Sequence, residues 1–279
     1  MDTGISRSVR MISTRNIQDL LSETWSVYTS SFWNFVALAS VVQIPVALVT
    51  FVILIGFREA STVILLVTWI INMYAVTIGY AAGVHGVCLN YLRGDVDVGS
   101  CYIKSVGRAK SLAIFTGFGL LAILLFERMV LSSQSNGVVE FLAGIIMLPV
   151  VVLALYWSFV VQVIMVEGVT IKRALRRSFE LVRGSWWRVF GVTVVLLLVV
   201  LGLRIVLSIP FAIVLQGLSI DQASALGGGV LISGATISSI IALPVLFIFS
   251  TLLYYDLRVR KEKYSLIDMS SETGIAYNV

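Results

Sequence analysis

Histidine is nearly absent from this 279-residue chain, at one copy, and cysteine is scarce, at two. Charge is thin as well: 13% of residues are charged against 58% hydrophobic, and the mean hydropathy is +0.99. That balance excludes an ordinary soluble domain. A lone imidazole, His85, with no Cys, Asp or Glu at ligand spacing, excludes a zinc site of the usual kind. Cys88 and Cys101 are too few for a disulfide framework. Acidic residues are almost missing from the long apolar runs, which argues against a proton-coupled pump and an intramembrane aspartyl protease. H-E-x-x-H, G-x-S-x-G and Walker sequences are absent, and the LGGGV of residues 226–230 lacks the lysine of a phosphate loop. The expectation is a non-enzymatic protein without metal or cofactor.

What is present is long apolar runs. A span needs about 20 apolar residues, and six stretches qualify: Phe35–Phe57, Val63–Leu92, Leu112–Val130, Val139–Val166, Val189–Leu215 and Thr236–Leu257. The first begins far from the N-terminus with no cleavage site ahead of it, so no cleaved signal peptide is expected. The formal charge of +5 does not point to nucleic acid, because its cations are segregated. All of the twenty lysines and arginines except Arg58, Arg128 and Arg204 fall in the N-terminal segment, the second and fourth connections or the tail. By the positive-inside bias these lie in the cytoplasm. The expected protein is a multi-pass protein of the cytoplasmic membrane with both termini inside.

An internal repeat organises the runs. Residue 17 laid on residue 171 aligns Leu20 with Ala174, Thr24 with Ser178, Trp25 with Phe179, Ser31 with Ser185 and Trp33 with Trp187. Val98, Cys101, Tyr102, Ser105 and Val106 repeat the pattern more weakly. The predicted architecture is all-α, with six transmembrane helices in three parallel repeats, each an amphipathic cytoplasmic helix plus two spans. One membrane domain covers 1–264, with repeats at about 15–92, 96–166 and 169–264, and residues 265–279 are expected to form a flexible tail.

Four groups of side chains are candidates. Ile171, Ala174, Leu175, Phe179, Val182 and Trp186 fall on one helical face, with cations between them, the pattern of a helix lying in the membrane interface. Arg173, Arg176, Arg177 and Arg183, with Trp186 and Trp187 at headgroup level, are the candidate binding surface. It suits anionic lipid headgroups, an acidic membrane-protein partner or a second copy of the chain; a purely anchoring role is the plainer reading. Glu167, Asp256 and Arg258 sit at inner span ends, and Glu167 or Asp256 is expected to pair with arginines of the 171–186 helix, locking helices together. Asn72, Tyr74, Tyr80, His85 and Gln162 are the polar side chains that would line a path if the repeats enclose one. Gly79 and Gly83, four apart, permit close helix approach. Arg204, about 25 Å of helix rise beyond Trp187, should reach the opposite interface by snorkelling.

The stretches IMVEGVTIKRALRRSFELVRGSWWRVFG (Ile164–Gly191) and TLLYYDLRVRKE (Thr251–Glu262) resemble the membrane domain found beside glycerophosphoryl diester phosphodiesterases. The resemblance is clear over the second half and reaches the first half only through the repeat. It implies a polytopic helical membrane domain and brings no catalysis, which in two-domain relatives belongs to a separate barrel with acidic and histidine metal ligands. A lipid-interacting or scaffold module is the first reading; a transporter, channel or lipid-translocating protein is the alternative.

Overall fold

The computed structural model describes residues 14–56, 62–132, 145, 149–221 and 224–275, and every regular element in them is helical. In chain order these are α1 (Ile17–Ser30), α2 (Phe32–Gly56), α3 (Thr62–Arg93), α4 (Val98–Gly107), α5 (Ala109–Ser132), α6 (149–156), α7 (Val160–Val166), α8 (Ile171–Val182), α9 (Trp186–Gly217), α10 (Ala225–Glu262) and α11 (Leu266–Thr273). Five stretches are long and apolar enough to cross a membrane: Phe32–Ile53, Leu66–Arg93, Pro149–Val166, Trp186–Gly217 and Ala225–Glu262. The α4–α5 pair, bent by 73°, makes a sixth if it is counted as one span. Part of the expected fourth span, together with Arg58 and the side chain of Arg128, lies outside the described residues.

A short helix precedes each of the long helices α2, α5 and α9. α1 turns into α2 at Ser31, and α4 turns into α5 at Arg108. α8 ends at Val182 because Gly184 takes a left-handed φ of 83°, which glycine alone adopts without strain. The helix expected to run to Trp186 therefore stops a turn early, and Trp186 begins α9 instead.

The packed core is concentrated towards the cationic end. It includes Phe35, Leu38, Ala82, Val84, Phe159, Ile164, Phe247 and Tyr254, all buried. Glycine sets two of the closest approaches. A Cβ on Gly83 would stand 2.4 Å from the Phe247 ring, and one on Gly79 would stand 3.1 Å from Val42. The glycine pair thus seats two partners, α10 and α2, against α3. Away from this core the long helices carry exposed leucine, isoleucine and valine, such as Leu197, Leu198 and Leu201 on α9. That is the surface a hydrocarbon solvent requires.

The C-terminal segment departs from the flexible tail expected of it. Residues 266–273 form α11, capped by reciprocal bonds between Ser265 and Asp268, and it folds back on the bundle with Met269 and Thr273 buried. The anchor is Glu272, which takes two bonds from the Arg258 guanidinium at 2.6 and 2.9 Å and one from the Tyr264 hydroxyl at 2.8 Å. Local composition hides such a contact, because the partner arginine belongs to α10.

Candidate functional site

The cations predicted to cluster do so at one end of the bundle, where they divide into two classes: those used by the protein itself and those turned outward. The first class forms two ionic clusters. Glu167, the C-cap of α7, accepts from Arg177 Nε at 3.1 Å and from the Tyr254 hydroxyl at 3.0 Å, with Arg258 Nη1 3.9 Å away. Arg177 also pairs with Glu262 at 2.5 Å. Arg258 pairs with Glu262 and Glu272 and lies over the Tyr264 ring, 3.8 Å from its centroid. Four helices, α7, α8, α10 and α11, are joined there. Burial opposes the charge of Arg177, but Glu167 and Glu262 outweigh it and raise its pKa above the ordinary arginine value. Burial raises the Tyr264 phenol as well, against the lowering pull of Arg258.

The second cluster is built on Asp256, which is 0% exposed. Its carboxylate accepts from the Arg15 backbone N–H at 2.7 Å, from Arg188 Nη2 at 2.8 Å and from Arg260 Nε at 3.0 Å. Arg188 and Arg260 also donate to the Arg15 carbonyl, and the Arg15 side chain pairs with Glu23. The segment before α1, the start of α9 and the end of α10 thus close around one carboxylate. A buried carboxylate survives when its lone pairs are filled in this way. Arg15, Arg188, Arg260, Glu262 and Glu272 were not singled out from the sequence; nearness to a span end was a signal for Arg188, Arg260 and Glu262 and for neither Arg15 nor Glu272.

Of the arginines proposed as a binding surface, Arg177 is turned inward. Arg173, Arg176 and Arg183 are exposed, as is Lys172. Among the described residues Arg176, with 83% of its side chain exposed, meets only Glu180 on its own helix, at 3.0 Å. Beside them Trp187 is 78% exposed and Phe179 is exposed too. Trp186 is half-buried, stacked on Phe190 with centroids 5.3 Å apart.

The buried face of α8 consists of Ala174, Ser178, Leu181 and Val182, rotated from the expected stripe, which omitted Ser178 and Leu181 and included Phe179. The reason lies in another helix. Residues 157–159 break the helical run between α6 and α7. The Ser178 hydroxyl accepts from the Phe159 N–H at 3.2 Å and donates to the Tyr156 carbonyl at 2.8 Å, satisfying backbone groups that the break releases.

The five path candidates do not converge on one point. Gln162 Nε2 donates to the Tyr80 hydroxyl at 2.8 Å, and Tyr80 and Ser250 share a 2.5 Å bond, in a part-buried chain across α7, α3 and α10. Gln162 Oε1 is buried without a partner among the described residues. Tyr74 donates instead to the Ala109 carbonyl at the start of α5, at 3.2 Å. His85 is buried and Asn72 half-buried, both on α3.

A family described as the membrane domain of glycerophosphoryl diester phosphodiesterase matches residues 130–274, just over half of the chain. It takes in α6 to α11, and with them most of both ionic clusters and the outward-facing arginines. No curated protein and no solved structure matches the chain.

Proposed function

We propose, because this chain belongs to the membrane-domain family of glycerophosphoryl diester phosphodiesterase, that it is a non-catalytic module of the cytoplasmic membrane whose cationic end holds anionic lipid headgroups. One observation carries the reading: Lys172, Arg173, Arg176 and Arg183 are exposed beside Trp187 and Phe179, although nearby carboxylates, Glu167, Glu272 and the buried Asp256, take up Arg177, Arg258, Arg188 and Arg260. Apart from the exposed Arg176–Glu180 pair, no side chain of the outward set has a partner among the described residues, which leaves the set to meet an anion. Each such cation near an anionic leaflet contributes about 1 kcal/mol.

Supporting the orientation is the crowding of the cations at one end of the bundle, which by the positive-inside bias is the cytoplasmic end and holds both termini. Three tandem units are supported by burial: Leu20, Cys101 and Ala174 are each 0% exposed, and Thr24, Ser105 and Ser178 are each buried. In each unit the short helix would lie against the inner leaflet and lead into two spans.

The test is native mass spectrometry of the purified protein against an Arg173→Gln/Arg176→Gln variant that spares Arg177. Retention of anionic phospholipid by the wild type and its loss in the variant is the expected result; equal retention in both would refute the assignment. The alternative of a path between the units draws support from Gln162 Oε1, buried without a partner among the described residues at one end of the part-buried chain through Tyr80 and Ser250. It requires Gln162→Leu to change flux in liposomes.

A further inference from the structure

A cavity of about 410 Å³ opens between α9 and α10, in the half of the molecule away from the ionic clusters, with Arg204, Ser208, Phe211, Leu231, Gly234 and Ser238 in its lining. Its shape follows from two local features. Phe211 lies so close to Gly234 that a Cβ there would stand 2.8 Å from the ring, which holds the two helices together at that level. Pro210 interrupts the hydrogen-bond ladder of α9 one residue earlier, where a helix bends.

The hydroxyls in this lining are already used. Ser208 donates to the Ile205 carbonyl at 2.8 Å and Ser238 to the Ala235 carbonyl at 3.0 Å. Arg204 is not used: it is exposed, and it makes no hydrogen bond or ion pair among the described residues. It is also the one charged residue of α9 beyond Arg188. A lone guanidinium bordered by hydrocarbon is costly unless an anion or water meets it. Its depth decides between them. Arg204 stands about 25 Å of helix rise from Trp187, close to the far boundary of a hydrocarbon core about 30 Å thick. Lipid phosphates lie at that level, and the planar guanidinium fork matches a phosphate in two bonds. The apolar walls suit a chain attached to that phosphate and offer a free inorganic anion nothing.

We infer that the α9–α10 cavity is a binding site for an anionic phospholipid of the leaflet opposite the cationic end, with its phosphate on Arg204 and an acyl chain against Phe211 and Leu231. This site is separate from the arginines of α8 and does not depend on them.

The test uses the full chain in phosphatidylcholine vesicles carrying a small share of phosphatidylglycerol with a photoactivatable acyl chain, and adducts are mapped by mass spectrometry. Adducts should concentrate on residues 204–216 and 231–238. They should fall about tenfold in Arg204→Gln, the loss expected of one charge-assisted contact, and by less in Arg204→Lys, which keeps the charge and loses the two-bond fork. Ala212→Phe, which fills the cavity and leaves the charge, should remove them as well. The Arg173→Gln/Arg176→Gln variant should leave them unchanged, so this site and the α8 surface can fail independently. Adducts spread evenly over Leu197, Leu198 and Leu201, or unchanged in Arg204→Gln, would identify ordinary boundary lipid and overturn the inference. Competition by inorganic phosphate without any preference for phosphatidylglycerol over phosphatidylcholine would overturn it too.

Discussion

Helices α1 and α8, set 154 residues apart, bury the same positions and expose different chemistry. Leu20 and Ala174, Thr24 and Ser178, Val27 and Leu181, and Tyr28 and Val182 are buried in pairs, and the following Trp33 and Trp187 are 77% and 78% exposed. Gln18, Ser22 and Thr29, by contrast, stand where α8 and its C-cap have Lys172, Arg176 and Arg183. Burial constrains a residue through every neighbour it touches, whereas an exposed position is constrained only by what it meets outside. The inward register is thus what the two helices share, and the outward positive charge belongs to α8: where it has Arg173, α1 exposes Asp19, which accepts from the Asn16 N–H at 2.9 Å. One position is instructive in between. Glu23 and Arg177 correspond and are both half-buried in ion pairs, but with opposite sign: Glu23 meets Arg15, and Arg177 meets Glu167 and Glu262. What is retained there is a charge with a partner, not a particular charge.

The largest way to break the correspondence is at Asp256, which holds the segment before α1 and the start of α9 together. Asp256→Ala leaves Arg188 and Arg260 facing each other without a carboxylate, at a cost of about 3–5 kcal/mol. The thermal unfolding midpoint in detergent should fall sharply, and an unchanged midpoint would show that the cluster carries no stability. Next is the inverted position. Arg177→Glu gives α8 the charge of α1 but sets a third carboxylate against Glu167 and Glu262, so the midpoint should fall by less than in Asp256→Ala because this pair is partly solvated. Adding Glu167→Gln to it should restore part of the loss.

A smaller difference separates the matched hydroxyls. Among the described residues Thr24 donates only to the Leu20 carbonyl of its own helix, at 2.6 Å. Ser178 serves backbone groups at the α6–α7 break. Ser178→Ala should therefore cost about 1–3 kcal/mol by leaving a buried N–H unpaired, and Thr24→Ala about 1 kcal/mol or less. Equal costs would mean that the break is stabilised by something other than Ser178.

Apolar length and cation placement made the spans and the charged end legible, because each is local along the chain. The family resemblance rested on residues 164–191 and 251–262, both inside the matched region. What could not be read was pairing across distance. Nothing near Arg177 announces Glu262, and nothing in SLIDMSSETG announces that Glu272 will meet Arg258. The face of α8 was misplaced for a related reason: Ser178 is polar on any hydropathy scale, and its burial makes sense only once the break at 157–159 supplies its partners. Arg204 was legible as an isolated charge, but the cavity it borders depends on how α9 and α10 pack.

The smallest expected effects concern how the short helices begin. Asp97 caps α4, accepting from the N–H groups of Ser100 and Gly99 at 3.0 and 3.2 Å, whereas Thr170 before α8 makes no side-chain capping bond. The Ser100 N–H and hydroxyl, then the Gly99 N–H, hold the Asp97 carboxyl below its usual value of 3.8. A group whose folded-state pKa is depressed stabilises the fold above its unfolded value, and that contribution is lost as pH falls through the folded one. Amide exchange of α4 should therefore quicken as pH drops below about 4 relative to an Asp97→Asn variant, in which an uncharged cap is retained. The start of α8, lacking a titrating cap, should show no such acid-specific change. If both helices loosened together at the same pH, the cause would lie in the carboxylates of the shared ionic clusters rather than in the caps, and the two short helices would behave as one unit with the bundle end on which they sit.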